Sequence, residues 1–362
     1  MDRRRLVNSW LLNNKSQAVG EKVMKRLAIV LMIISLPISV YSGGFSKVGT
    51  AAAQFLKISA GARPMAMGET FVAVANDVST LYWNPAGITN INMMSVSVSH
   101  TQWFAEIFHN YAGMVIPLSD NEGFGISVLS LTTNEQEVTT VDQPEGAGVY
   151  YSVNNVAIGL SYARRLTDWF SVGVSAKYIQ EDLFNESANT FALDIGTYLK
   201  TGFHNLVIAM CVSNFGGNMQ LEGRDLIQLA DINKNVSGEY NPDARLKTEP
   251  YSLPLNFRVG VSMDILGGKD PFFKSDYHRW TVAIDGNHPN DNVERVNFGT
   301  EYSWNETVFA RAGYKLNYDV ENWTFGAGVK LNLGGQNVSF DYALVDYADL
   351  GKVSRISIEV GF

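Results

Sequence analysis

The chain has 362 residues, 46% hydrophobic and 18% charged, with 32 Gly, 19 Phe, 16 Tyr, 7 Trp and a mean hydropathy of −0.04. That balance excludes a disordered chain, which needs low hydrophobicity and high charge, and a polytopic helical membrane protein, which needs several apolar runs of about 20 residues. A single cysteine, Cys211, rules out an internal disulfide or a metal-binding Cys cluster, and a formal charge of −8 speaks against a nucleic-acid partner.

Residues 1–23 resemble no part of an export signal. Met24-Lys25-Arg26 leads into the apolar run Leu27 to Val40, with small residues at Ser42 and Gly43. This order describes a secretory signal peptide over 24–42. A retained anchor helix is the alternative, but the run is short for a span and contains Pro37. Met24 is a normal signal start, so 1–23 is expected to be a mis-set start extension. Residues 1–42 hold 7 Lys/Arg and 2 Asp/Glu, so the 21 basic and 34 acidic residues beyond them give a net −13.

Residues 43–92 are rich in Ala and Gly, with a helical patch at Thr50–Leu56 and a helical turn capped at Asn76/Asp77. Asn84-Pro85-Ala86-Gly87 is a turn signal. From Met93 the periodicity is two. Trp323, Phe325, Ala327, Val329, Leu331 and Leu333 share one face of a strand, against Thr324, Gly326, Gly328, Lys330 and Asn332. Fourteen such strands are expected: 93–104, 107–118, 122–132, 152–164, 168–181, 188–200, 203–214, 250–265, 278–288, 294–304, 307–316, 322–333, 336–347 and 353–362.

Many run about 10–12 residues, the length that crosses a bilayer at a tilt, and aromatics such as Trp103, Phe104, Trp169, Trp280, Trp304 and Trp323 cluster at their ends. The even-to-odd connections are mostly tight, while the two longest, Thr133–Tyr151 and Phe215–Glu249, are odd-to-even. Short periplasmic turns and long outer loops are the rule for bacterial outer-membrane barrels. The fold class is therefore an all-β membrane protein: a 14-stranded antiparallel barrel over 93–362, with a small N-terminal hatch over 43–92. A barrel this wide encloses more space than its own side chains fill, so a plug is expected.

The run Gly49 to Ile88 contains Ala-Gln-Phe-Leu-Lys, Gly-Ala-Arg-Pro-Met-Ala-Met-Gly, Phe-Val-Ala-Val-Ala-Asn-Asp and Leu-Tyr-Trp-Asn-Pro-Ala-Gly. With Leu253-Pro254-Leu255, Ala283-Ile284-Asp285-Gly286-Asn287-His288-Pro289 and Phe298-Gly299-Thr300-Glu301-Tyr302, it resembles the PorV/PorQ family of FadL-like outer-membrane barrels. The resemblance implies a hatch with its motif at Arg63, Asn84, Pro85, Ala86 and Gly87. It implies reception or shuttling of cargo C-terminal domains between the translocon and the attachment complex of type IX secretion. The wider FadL group moves hydrophobic small molecules through the lumen and out sideways, which is the alternative. Terminal Phe362, on an alternating strand, resembles the signal read by the barrel assembly machinery.

Lumen-facing charges are expected at Lys177, Arg258, Asp285, Arg311, Lys330, Arg355 and Glu359, either lining a polar channel or pairing with the plug. Arg63 is a candidate partner for a lumenal carboxylate. Gly123 and Gly125 could kink the third strand and open a lateral gap. In the loop 215–249, Met219, Leu221, Leu226, Ile227 and Leu229 suggest a small helix on the rim, either a docking surface or a lid over its own barrel. Asp231-Ile-Asn-Lys-Asn-Val-Ser-Gly-Glu239 spaces oxygens as calcium loops do, but Val236 stands where the loop needs Gly. Five scattered His and no nucleophile elbow leave no catalytic, cofactor or metal site to expect. The expected partners are outer-membrane lipid, the assembly machinery, the translocon and its cargo.

Overall fold

The computed structural model describes residues 48–229 and 243–362. The signal segment, the residues before it and the calcium-like stretch from Asp231 to Glu239 lie outside the described residues.

Fourteen long strands form the wall. They are β1 Ser95–Gln102, β2 Ile107–Ser119, β3 Glu122–Thr133, β4 Val153–Thr167, β5 Phe170–Leu183, β6 Glu186–Lys200 and β7 Val207–Gly216. The second half is β8 Asn256–Leu266, β9 His278–Pro289, β10 Arg295–Trp304, β11 Val308–Leu316, β12 Trp323–Leu333, β13 Gln336–Asp346 and β14 Lys352–Gly361. Each pairs antiparallel with its sequence neighbours, and β1 pairs with β14, so the sheet closes. Closure leaves no edge with unbonded N–H and C=O groups facing hydrocarbon.

Burial is inverted relative to a soluble sheet. On β9, Trp280 and Ile284 face outward and are exposed, while Thr281, Ala283, Asp285 and Asn287 face inward and are buried. On β12, Trp323, Phe325, Val329 and Leu333 are exposed and Thr324 is buried. Apolar residues outside and polar residues inside suit a wall between lipid and a filled lumen. Trp169, Trp280, Trp304 and Trp323 are exposed, as a girdle requires. Trp103 is not among them. It stacks edge-on with Phe104 and Tyr347 at 5.3 and 5.2 Å, packed against Ala62 and Met65 of the hatch.

Two expected strands start late, the seventh at Val207 rather than 203. The eighth begins at Asn256 rather than 250, because Leu253-Pro254-Leu255 interrupts it and Pro254 has no N–H for a ladder. Tyr251–Ser252 pairs instead with Asn218–Met219. Gly123 and Gly125, where a kink was expected, are in register with β2 and β4, and the shift in β2 lies at Pro117/Ser119, beside the turn.

Depth sets the cost of a charge on the outer face. Ile284→Arg, in mid-strand, is expected to destabilise the barrel by about 2–4 kcal/mol, and Leu333→Arg, beside the Gly334-Gly335 turn, by about 0–1 kcal/mol. Urea unfolding in lipid vesicles measures both.

Candidate functional site

Inside the wall, residues 51–91 form the hatch: a 3₁₀ turn Gln54–Lys57, α1 Ala62–Ala66, α2 Thr80–Trp83 and a 3₁₀ turn Pro85–Asn90. The first turn starts at Gln54, not at Thr50. Asp77 shapes the entry to α2 by accepting the Ser79 N–H at 2.9 Å, whereas Asn76 accepts from Arg63. Helices this short are not stable in isolation, so the barrel must hold them in place. Ala60, Ala62, Ala66, Met67, Phe71, Val72, Ala75 and Val78 are all fully buried.

Two kinds of contact make the seat. The first is close backbone approach. A Cβ at Gly196 would strike Asn84, one at Gly173 the Pro85–Ala86 peptide, and one at Gly313 the Met67–Gly68 peptide. Gly123 and Gly125 belong to this set: a Cβ there would meet Ile88 and Leu81 of the hatch. These wall glycines are the imprint of the hatch, with a signal in the sequence as glycines on the inward face of alternating strands. The sequence reading passed over most of them.

The second is a chain of buried charge. Arg63 grips Glu301 with two parallel bonds, Nε to Oε2 at 2.7 Å and Nη2 to Oε1 at 2.8 Å, and its Nη1 reaches Asp77 at 3.0 Å. Arg311 bonds the same Glu301 at 2.6 Å and Asp341 at 2.6 Å. A planar fork on a carboxylate is the strong form of ion pair. Glu301 and Asp341 were not singled out in the sequence, because one acidic residue on a polar face carries no mark of its partner.

Asn84 ties three segments together. Its amide donates to the Val72 and Thr197 carbonyls at 3.0 and 3.1 Å, and its Oδ1 accepts the Ala86 N–H at 3.1 Å. Pro85 opens the turn that follows, and at Gly87 a Cβ would collide with Thr80 and Ala75. Asp285 accepts the Phe71 and Val72 N–H groups at 2.9 and 3.0 Å, and Glu359 accepts that of Val78 at 3.0 Å.

Lys177 pairs with the buried Asp194 and donates to Asn214 at 3.0 Å. Arg258 lies over the rings of Tyr82 and Trp83 at 5.7 and 4.8 Å. Arg355 donates to Ser59 of the hatch at 3.0 Å. Lys330 is exposed near the short-turn end of β12, apart from these groups. Lys315, which the sequence reading did not select, holds Glu69 of the hatch at 2.8 Å and Glu321 at 2.7 Å. Burial pushes the Glu69 carboxyl up, but Lys315 outweighs it and keeps the group below the ordinary carboxylate range.

The hatch leaves a cavity on each side. One, of about 400 Å³, lies toward the short-turn end and is lined by Arg63, Lys200, Asp264 and Arg279. The other, of about 230 Å³, opens among the connections at the opposite end. Among the described residues of the rim loop, Met219 to Leu229 form no α-helix where a helix was expected. The loop makes short two- and three-residue ladders and a 3₁₀ turn Arg224–Leu226. Met219 is buried in the core beside the hatch and Leu221 packs against it, while Ile227 and Leu229 are exposed and Leu226 is half-buried. Cys211 is buried in the wall. Phe362 is exposed, and its N–H donates to the Met94 carbonyl at 2.8 Å.

The sequence family described as Type IX secretion system protein PorV matches residues 44–226. No curated protein sequence matches the chain. In three dimensions the chain is similar to the toluene transporter TbuX of Ralstonia pickettii, at 12% identity and a TM-score of 0.51 over 83% of this chain and 97% of that one. It is similar to the toluene transporter TodX of Pseudomonas putida at 11% and 0.53, over 83% and 97% of the two chains. The monoaromatic hydrocarbon channel CymD matches at 12% and 0.53, over 84% and 98%. At such identities the likeness is one of fold.

Removing one side of a buried pair costs about 3–5 kcal/mol. Since Arg311 still holds Glu301, Arg63→Ala is expected at the lower end, and Gly313→Val should unseat the hatch in the same direction. Both should raise ion conductance through single barrels in planar bilayers, where the parent stays closed. The folded Glu69 value lies below its unfolded one. Its contribution is thus present above about pH 4.5 and fades as pH falls below that. Melting of Glu69→Gln should depend less on pH than that of the parent across this acid limb.

Proposed function

Since this chain belongs to the family of type IX secretion system protein PorV, we propose that it is an outer-membrane barrel that receives or shuttles secreted cargo proteins for that system. The observation that carries the reading is the match over 44–226, which takes in the whole described hatch and the first half of the wall. The hatch fits the task. It is bonded into the lumen through Arg63, Asn84 and Asp285, so a folded cargo domain is handled at the rim and not threaded through the barrel.

The cargo's C-terminal domain and the translocon are the proposed partners at the outer rim, where Ile227 and Leu229 offer exposed apolar surface. The strand ending beside Phe362 is the proposed mark for the barrel assembly machinery. Residues 24–42 are the proposed cleaved signal, 43–92 the hatch and 93–362 the barrel. Catalysis has no part in this reading.

The FadL-like alternative, transport of small hydrophobic molecules, asks for an apolar route and a side exit. The two cavities are lined largely by charged, amide and aromatic side chains, and β3 keeps its pairing past both glycines. Those observations favour the secretion reading.

Deletion of the gene should leave cargo proteins folded in the periplasm, detected by fractionation and immunoblot, with growth on fatty acids and monoaromatics unchanged. Normal cargo export together with a growth defect on those carbon sources would sink the proposal.

A further inference from the structure

The smaller cavity is built from the hatch below and from four inter-strand connections around it. Leu56, Lys57 and Trp83 form its floor, while Pro254, Asn292, Tyr318 and Tyr347 belong to the connections after β7, β9, β11 and β13. Those connections share one end of the barrel, the end with the long loops, so the cavity faces the cell exterior.

Its charge is lopsided. Lys57, Arg258 and Arg295 line it against Glu69 and Glu321. Both carboxylates are already bonded to Lys315, and Lys57 is bonded to Asp291. Among the described residues, no carboxylate lies at ion-pair distance from Arg258 or Arg295. Glu69 acts on Arg258 electrostatically, but its bonds go elsewhere.

Both guanidiniums rest on ring faces instead, and Arg258 also interacts with the Tyr82 hydroxyl. Arg258 lies 4.8 Å from Trp83, and Arg295 lies 4.2 Å from Tyr318 with its Nε buried and unbonded. A ring face stabilises a cation from one side and leaves the N–H edge free to donate. Behind the wall of the cavity, Arg355 is fully buried, donates to the lining residue Ser59, and has no partner at Nη2.

Burying a cation without an anion is expensive. Here Arg258 and Arg355 are respectively 9% and 0% exposed, on a chain whose net charge is −8. We propose that this outer lumenal cavity binds a small organic anion, its carboxylate or phosphoryl group held between Arg258 and Arg295 and its body against Trp83, Trp103 and Tyr318. A volume of about 230 Å³ lies below the roughly 300–1,000 Å³ of drug-sized sites, so the ligand is compact. This is a small-molecule site in addition to any surface for cargo, and it does not depend on the secretion reading.

Calorimetric titration of the full-length protein, purified in detergent at low ionic strength, tests it with three probes: benzoate, inorganic phosphate, and benzamide as the neutral analogue of benzoate. Saturable binding of one molecule of benzoate or phosphate is expected, with none for benzamide. Benzoate alone identifies a carboxylate ligand and phosphate alone a phosphoryl one. Arg258→Gln and Arg295→Gln should each weaken binding roughly ten- to hundredfold, the range for losing a charged hydrogen bond. Arg295 stands at the rim, clear of the hatch, so its variant decides the matter even if Arg258→Gln misfolds. No saturable binding of either anion, equal binding of benzamide, or parental affinity in Arg295→Gln overturns the proposal.

Discussion

A backbone in hydrocarbon has no water to bond, so every N–H and C=O in the membrane must find its partner in the wall. Much of the structure answers to that constraint. It closes β1 onto β14, and it sends apolar residues outward and polar ones inward. A closed ring of fourteen strands is wider than its inward side chains can fill, so the same constraint creates a lumen that something must occupy. The hatch fills it with helices too short to stand alone, and their shape is therefore borrowed from the wall.

The two forms of seating divide the labour. Wall glycines let peptide units of the hatch lie against peptide units of the barrel, which sets position but attracts weakly. The charges supply attraction and register. Glu301 is shared: Arg63 approaches from the hatch and Arg311 from the wall. Without the hatch, Glu301, Arg311 and Asp341 remain a bonded group with one excess negative charge. Arg63 keeps Asp77 on its own side. Each half is thus partly satisfied alone, so the pairing specifies how the hatch sits at a lower cost than a lone buried charge would impose.

The wall was legible because period-two alternation is local: each strand announces itself within about ten residues, and Pro254 was the residue that moved a boundary most. The hatch was legible as a compositional break and through its resemblance to a family. Its seat was only half visible. Arg63 stands out within the hatch motif, and the lumen-side Arg and Lys residues as charges on strand faces, but their partners are set by which segments become neighbours. Glu301 meets Arg311 through the β10–β11 register, and Glu301 meets Arg63 across 238 residues of chain. The glycines failed for another reason. Gly123 and Gly125 signal close approach or a bulge alike, and only the hatch packed behind them decides between the two. The rim loop is less legible because apolar residues in a polar loop suit a small helix and short ladders alike, and the pairing of Tyr251–Ser252 with Asn218–Met219 joins residues far apart in the chain.

The hatch separates two chambers that hold their arginines differently. On the inner side the arginines are matched, Arg279 bonded to Asp264 and Arg63 to Glu301, while among the described residues Lys200 and Lys269 have no carboxylate at ion-pair distance. On the outer side, among the described residues, Arg258 and Arg295 rest on rings with no carboxylate at ion-pair distance, and Arg258 also interacts with the Tyr82 hydroxyl. The rings under Arg258 belong to α2 of the hatch, so the cation that faces the outer chamber is also part of the packing that holds α2 down. An anion bound there would draw on the same guanidinium, and linkage requires the effect to run both ways: whatever shifts α2 changes the affinity of the chamber, and whatever fills the chamber changes the hold on α2. Polar residues inside the barrel are thus more than a filler imposed by closure. Their arginines are paired to carboxylates on one face of the plug and rest on rings at the other.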